Sequence, residues 1–470
     1  MPDEELCWTP ATVLVERIKQ RELSPVELVD AALARVGALD GRVHAFLTLD
    51  AERAREAAQR AEDAAPTGLL HGLPVSIKDL EPTAGLRTTY GSKFFEHNVP
   101  DVDGAVTSRV KAAGGIVFGK TNTPNYGHKD MCDNLLGPPA QNPWRLDRTT
   151  GASSGGAAAA AAAGFGPLHH GSDGAGSIRI PACLCGVFGL KPSFGRVPYL
   201  PNNDIWALRS HNGPIARTVR DAALMLSAIA GPDPRDPYTI DQPPIDYVAA
   251  CDGGVAGLRV AWSADFGYAR VEPEVRRIAE AAARRFEELG AHVEEVNPGW
   301  PDPAHGARVA WYASMLARHG ERYRQRPEWF EPSMAAQIEG AMAYTGMDVY
   351  GAQMARSAFY ERASAFMSRY DLLLTPQMPR TAWRWDDPAP LVDGVRCPDI
   401  FDRLPFTFPF NLTGWPAANV PCGFDAEGLP VGLQIVGNWH QDALVLRAAA
   451  AFEELQPWAD KRPSLSAAGA

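Results

Sequence analysis

A mixed α/β fold is the class predicted for this 470-residue sequence. Short apolar runs bounded by Gly and Pro, such as Leu73 to Ile77 and Gly115 to Phe118, read as buried strands. They alternate with segments of helical period, the pattern of a sheet flanked by helices. Leu258 to Trp262, a helix from Pro273 to Leu289 stopped by Gly290, and His292 to Val296 form a strand, helix, strand unit. The sheet is therefore expected to continue well past residue 250.

The chain opens with helices. Thr9-Pro10 and Ser24-Pro25 each place a capping hydroxyl before a proline suited to the first helical position. Leu28, Ala32 and Val36 recur at four-residue spacing and make one apolar face. A third helix, Ala51 to Ala64, is rich in Ala, Glu and Arg. The Pro-rich stretches Gly231 to Pro244 and Trp383 to Pro398 read as surface connections.

Composition narrows the function. A hydrophobic fraction of 46% with 21% charged residues excludes a disordered chain, a coiled coil and a membrane bundle. Lys+Arg 45 against Asp+Glu 56 gives a formal charge of -11, the wrong sign for nucleic acid or an anionic membrane, which leaves a neutral or small substrate. Seven Cys without a CxxC pair suit a reducing compartment. Cys183 and Cys185 stand too close for a tetrahedral zinc pattern, and no HExxH accompanies them, so no metal is expected. The acidic start Met1-Pro2-Asp3-Glu4-Glu5 is unlike a signal peptide, and the cytoplasm is the expected location. Gly 43 and Pro 40 make 83 of 470 residues, about 18% against roughly 12% in average usage. Of those glycines, 11 fall between Gly151 and Gly195, where special backbone torsions are needed.

Two motifs mislead. Gly114 to Thr121 fits the GxxxxGK[ST] spacing of a phosphate loop, yet its interior is Ile116-Val117-Phe118, so a strand lies where a flexible loop should be. Gly151-Ala152-Ser153-Ser154-Gly155 fits the GxSxG nucleophile elbow, but the preceding Asn142 to Arg148 is polar loop instead of an apolar strand. On that reading Ser153 would be the nucleophile of an α/β-hydrolase-type esterase. His211, His292, His319 and His440 are the candidate bases, and none has a recognisable context.

A third reading takes both Ser clusters together. Gly151 to Gly156 opens a helix, and Gly171-Ser172-Asp173-Gly174-Ala175-Gly176-Ser177 follows it. A Gly-rich turn can aim consecutive backbone N–H groups at one point and so build an oxyanion hole beside a nucleophilic Ser177. With no His in place, an uncharged Lys is the chemical substitute, provided that burial lowers its pKa toward about 7 or 8. Lys78, at the end of the run Leu73 to Ile77, is the candidate; alternation along the strand should turn Asp79 away from it.

These elements, in this order, resemble the amidase signature family. The likeness is dense from about residue 73 to 197: Lys78-Asp79, Gly119-Lys120-Thr121-Asn122, Asn142-Pro143, Gly151 to Gly156, Gly171 to Pro181, and Cys185 to Pro192. It resumes at Phe408-Pro409-Phe410-Asn411-Leu412-Thr413-Gly414 and at Gly428 to Gln434. The resemblance implies one domain over residues 1–470, an open mixed sheet with helices on both faces, and no cofactor. It implies a Ser, cis-Ser, Lys triad: Ser177 as nucleophile, Ser153 as the bridging serine after a cis bond from Ala152, and Lys78 as base. Backbone N–H groups of Gly174, Ala175, Gly176 and Ser177 would hold the oxyanion, Ser154 would tune the network, and Asp173 would pair with Arg179 to brace the turn.

Within the family the turn is most similar to the branch of aryl acylamidases, 6-aminohexanoate cyclic-dimer hydrolases and urethane-cleaving amidases. Ala152 stands where Gly is common, and the Gly174-Ala175-Gly176 turn replaces the frequent Thr-Gly-Gly or Ile-Gly-Gly. The expected reaction is hydrolysis of an amide or carbamate C–N bond in an uncharged, apolar or aryl small molecule, by a monomer or homodimer that needs only substrate and water. Aromatics concentrated at about 297–415, among them Trp300, Trp311, Tyr312, Trp329 and Phe406, are expected to wall its pocket. The glutaminase component of a glutamine-dependent tRNA amidotransferase, its A chain, is the alternative within the family, and a catalytically silent binding protein the alternative outside enzymes.

Overall fold

The computed structural model describes residues 4–201 and 210–465; Met1 to Asp3 of the acidic start lie outside them. Its strands are β1 (Phe46–Leu49), β2 (Pro74–Lys78), β3 (Ile116–Thr121), β4 (Gln141–Asn142), β5 (Arg145–Thr149), β6 (Leu168–Asp173), β7 (Phe188–Lys191) and β8 (His211–Ala216). They continue with β9 (Arg259–Trp262), β10 (His292–Glu295), β11 (Leu372–Pro376), β12 (Leu391–Val392), β13 (Val395–Arg396), β14 (Ala417–Phe424) and β15 (Pro430–Gly437). Eleven of these form one sheet in the order β1-β3-β2-β6-β8-β7-β14-β15-β11-β9-β10 among the described residues. Parallel pairing joins β3, β2 and β6 at one side and β11, β9 and β10 at the other, with antiparallel strands between them. The sheet is therefore mixed.

Helices cover both faces, as adjacent residues of β3 demonstrate. Ile116 and Phe118 pack into the cluster built by the helices Pro25–Val43 and Ala51–Asp63, while Val117 points into the larger core on the opposite face. The helix Gly155–Ala163 is buried along its whole length. Small side chains make that possible, because Gly and Ala let neighbouring strands and helices approach its backbone. No helix among the described residues is long and apolar enough to cross a membrane.

Several local expectations need correction. Ser24 caps its helix, accepting from Val26 N at 3.1 Å with Pro25 at the first position. Thr9 does not: its hydroxyl donates back to the Glu5 carbonyl at 2.9 Å, and Pro10 takes the cap position. The segment Asn142 to Arg148 is not all loop, since β5 pairs with β4 in a separate two-stranded ribbon. Its polar sequence gives no strand signal because such a ribbon lies outside the main sheet and need not alternate. Likewise Trp383 to Pro398 holds the small β12–β13 hairpin. The phosphate-loop match is a strand through Lys120, whose ammonium is buried against the Glu81 carbonyl and the Thr83 and Thr88 hydroxyls.

Candidate active site

Lys78 ends β2, and its side chain is fully buried beneath the start of the helix Gly155–Ala163. Its Nζ lies 2.9 Å from Ser153 Oγ, 2.8 Å from Ser154 Oγ and 3.2 Å from the Ser172 carbonyl. Burial pushes the amine down to about 7. Asp79 faces elsewhere: its carboxylate accepts from the Thr89 amide at 2.8 Å and from the Thr89 hydroxyl, with Lys120 as its nearby charge. A carboxylate beside Lys78 would have held the ammonium, so this divergence keeps the amine near neutrality.

The Ala152–Ser153 peptide is cis. Ala152 fills a small apolar niche with Cys132 and Ala140, which accommodates the methyl that distinguishes it from glycine. Ser154 joins the two clusters. Its hydroxyl donates to the Ser172 carbonyl at 3.1 Å and accepts from the Ser172 amide at 3.2 Å, while its own amide donates to the Ser177 carbonyl at 3.0 Å.

Strand β6 ends at Asp173, and the chain turns through Gly174, Ala175 and Gly176 to Ser177 before the helix Arg179–Cys185. Gly176 has φ +125°, a conformation that side chains disfavour, and a β-carbon there would collide with Thr407. Among the described residues the amides of Gly174, Ala175 and Ser177 make no hydrogen bond. The amide of Gly176, expected as a fourth donor, instead donates to Asp173 Oδ1 at 2.7 Å, because the carboxylate folds back under the turn. Its peptide plane is fixed at the other end too, where Thr407 Oγ1 donates to the Ala175 carbonyl at 2.6 Å. Ser177 is the most open of the three proposed side chains, 7% exposed against 3% for Ser153 and 0% for Lys78. Its Oγ makes no hydrogen bond among the described residues, so the expected Ser153–Ser177 link is not formed.

Asp173 and Arg179 pair at two points, Nε to Oδ2 and Nη2 to Oδ1, both at 3.0 Å. Burial would raise the Asp173 carboxyl, but the guanidinium outweighs it and, with Lys191 and Asn411, holds the group well below the usual carboxylate range. The pair is reinforced from far along the chain. Arg179 also donates to Asn411 Oδ1 at 2.8 Å and Gln434 Oε1 at 2.7 Å, and Asn411 Nδ2 donates to the Asp173 carbonyl at 2.9 Å.

Other contacts of the site come from packing between elements distant in the sequence. A β-carbon on Gly127, at φ +74°, would stand 3.1 Å from Ser153 Oγ. Trp311, from the late aromatic group, packs against Gly174. Trp300, Phe406 and Trp415 are core, and Tyr350 is exposed. Of the histidines, His211 is buried and turned to the Asp173 carbonyl, 3.2 Å from its Nδ1, so it does not serve Ser153.

Comparison with known proteins agrees with this frame. The family model described as Amidase matches residues 27–446. An acylamidase from Rhodococcus erythropolis is 40% identical, with 99% of both chains covered. The A chain of a glutamyl-tRNA(Gln) amidotransferase from Roseiflexus sp. (strain RS-1) is 37% identical over 96% of this chain and 97% of its own. A solved bacterial aryl acylamidase of the amidase signature enzymes superposes with a TM-score of 0.91 at 30% identity, covering 96% of this chain and 97% of that one. The mixed sheet, the family match and relatives aligned from end to end lead to one assignment: the chain belongs to the amidase signature family, hydrolases of carbon–nitrogen bonds.

Proposed function

We propose that this amidase cleaves amide or carbamate C–N bonds of uncharged, apolar or aryl small molecules through an acyl-enzyme on Ser177. The supporting observation is the buried Lys78 amine 2.9 Å from Ser153 Oγ, beside a turn that leads three unbonded amides to Ser177. Hydrogen-bond accounting favours Lys78 as the base. Ser154 Oγ gives its proton to the Ser172 carbonyl and so accepts from Lys78. The neutral amine spends its two N–H groups on Ser154 Oγ and the Ser172 carbonyl, which leaves its lone pair for the Ser153 hydroxyl.

Lys78 then takes the proton of Ser153, Ser153 takes that of Ser177, and Ser177 Oγ bonds to the substrate carbonyl carbon. The amides of Gly174, Ala175 and Ser177 receive the oxyanion. As the C–N bond breaks, Ser153 gives a proton to the leaving nitrogen and is reprotonated by Lys78. Water repeats the sequence on the acyl-enzyme and releases the carboxylic acid, or, from a carbamate, the carbonic acid half-ester, which decomposes to alcohol and carbon dioxide. Asp173, Arg179 and Ser154 hold this geometry without touching substrate.

An acylamidase relative at 40% identity and an aryl acylamidase fold neighbour support the apolar amide substrate. The amidotransferase relative at 37% favours a second reading, glutamine hydrolysis for a partner protein. Assay of anilides, aliphatic and cyclic amides, aryl carbamates and glutamine separates the two; glutamine as the best substrate would favour the second. Ser177→Ala is expected to abolish turnover. Near-normal activity of Lys78→Ala at neutral pH would overturn the base assignment.

A further inference from the structure

Trp311 lies half-buried on the helix Ala304–Gln325. Its ring carbons Cζ3 and Cη2 stand 3.2 and 3.3 Å from where a β-carbon on Gly174 would be. Gly174 has no left-handed torsion, and a β-carbon there would crowd the indole and, at 3.3 Å, Ser210 Oγ. The ring is held in place from behind. Its Nε1–H donates to Gln337 Oε1 at 3.2 Å, and it packs on the cluster of Met315, Phe330, Met334 and Ile338. Gln337 is itself buried, and its Nε2 donates to the His128 carbonyl at 3.3 Å. His128 follows Gly127, the neighbour of Ser153. One glutamine thus fixes the distance between the indole at one flank of the turn and the loop at the other.

We infer that Trp311 is the wall of the acyl subsite and decides which acyl groups are accepted, with Gln337 as its positioning residue. The inference rests on Ser177 being the nucleophile. In the tetrahedral intermediate the former carbonyl carbon carries Ser177 Oγ, an oxyanion facing the free amides, the leaving nitrogen and the acyl substituent. The nitrogen must face Ser153 to be protonated, on the Gly127 side. The acyl substituent takes the remaining space beside the turn, which the indole borders on the β-carbon side of Gly174. A fixed flat apolar surface there suits flat or unbranched acyl groups and penalises bulk at the carbon next to the carbonyl.

Two substrate series distinguish this from a merely structural role. One varies the acyl group from acetyl and butanoyl to benzoyl and pivaloyl on a constant 4-nitroaniline; the other keeps butanoyl and varies the aniline. Trp311→Ala is expected to raise the pivaloyl-to-butanoyl ratio of kcat/KM by about tenfold or more, the scale on which one pocket contact discriminates. Trp311→Phe should stay close to wild type and Gln337→Met fall between them, all with wild-type preference among anilines. Should Trp311→Ala fail to fold, Trp311→Leu supplies the same comparison. An unchanged acyl ratio in a folded variant, or a change confined to the aniline series, overturns the assignment. Labelling of Ser177 by a fluorophosphonate is read alongside. No label on wild-type Ser177 removes the nucleophile and this inference with it; normal labelling with an unmoved ratio removes only the role of Trp311.

Discussion

The carboxylate of Asp173 and the guanidinium of Arg179 meet at two points with neither side chain exposed to solvent. The same carboxylate accepts the Gly176 amide, so the ion pair sets the curvature of the turn that ends at Ser177. Arg179→Met would leave a buried charge without its partner, a change that costs about 3–5 kcal/mol. Thermal denaturation should record a large loss of stability, and the surviving folded protein should label slowly with a fluorophosphonate.

Thr407 makes a gentler test of the same turn. Its hydroxyl holds the Ala175 carbonyl while Asp173 holds the other end of that peptide plane. Thr407→Val keeps the shape and removes one hydrogen bond, worth about 1 kcal/mol. We expect kcat to fall roughly five-fold with little change in KM, because the lost contact orients the oxyanion donors and not the substrate.

The pH dependence follows from burial of Lys78. Only the neutral amine can accept a proton, so kcat/KM should rise with pH through an inflection near 7 and level off above it. Stability changes in the same direction. Between about 7 and 10.5 the unfolded chain carries a proton on Lys78 that the folded chain lacks, so folding strengthens as pH rises through that window. Lys78→Met has no such dependence; its Tm relative to wild type should be higher at pH 7 than at pH 10, whatever the sign of the difference.

Gly127→Ala tests the space around Ser153. The methyl would meet Leu80 Cδ1 at 2.8 Å and the Ser153 hydroxyl at 3.1 Å, at a backbone torsion that alanine resists. A drop in kcat of about tenfold or more is expected, with acyl preference unchanged because Trp311 lies at the other flank.

The three proposed catalytic side chains and their brace are legible because each sits beside a local peculiarity of the sequence. Lys78 closes an apolar run, and Ser153 and Ser177 lie in glycine-rich clusters that only a special backbone requires. The parallel unit from Arg259 to Glu295 is equally plain, since a proline start and a glycine stop mark its helix. Asn411 and Gln434 stand in recognisable motifs, but their service to Arg179 spans more than 200 residues and has no local signature. Gln337 and Gly127 are hidden for the same reason, as are the engagement of the Gly176 amide and the choice of Trp311 from the aromatics expected to wall the pocket. These are facts of packing between distant elements, and one aromatic among many carries no mark of which backbone it will meet.

We propose Ser177 as the nucleophile and Lys78, through Ser153, as its base. Peptide mapping after reaction with a fluorophosphonate tests it most directly. The label is predicted on Ser177 in the wild-type protein, with labelling much slower in Lys78→Ala. A label on Ser153, or equal labelling rates in the two proteins at pH 7, would contradict it.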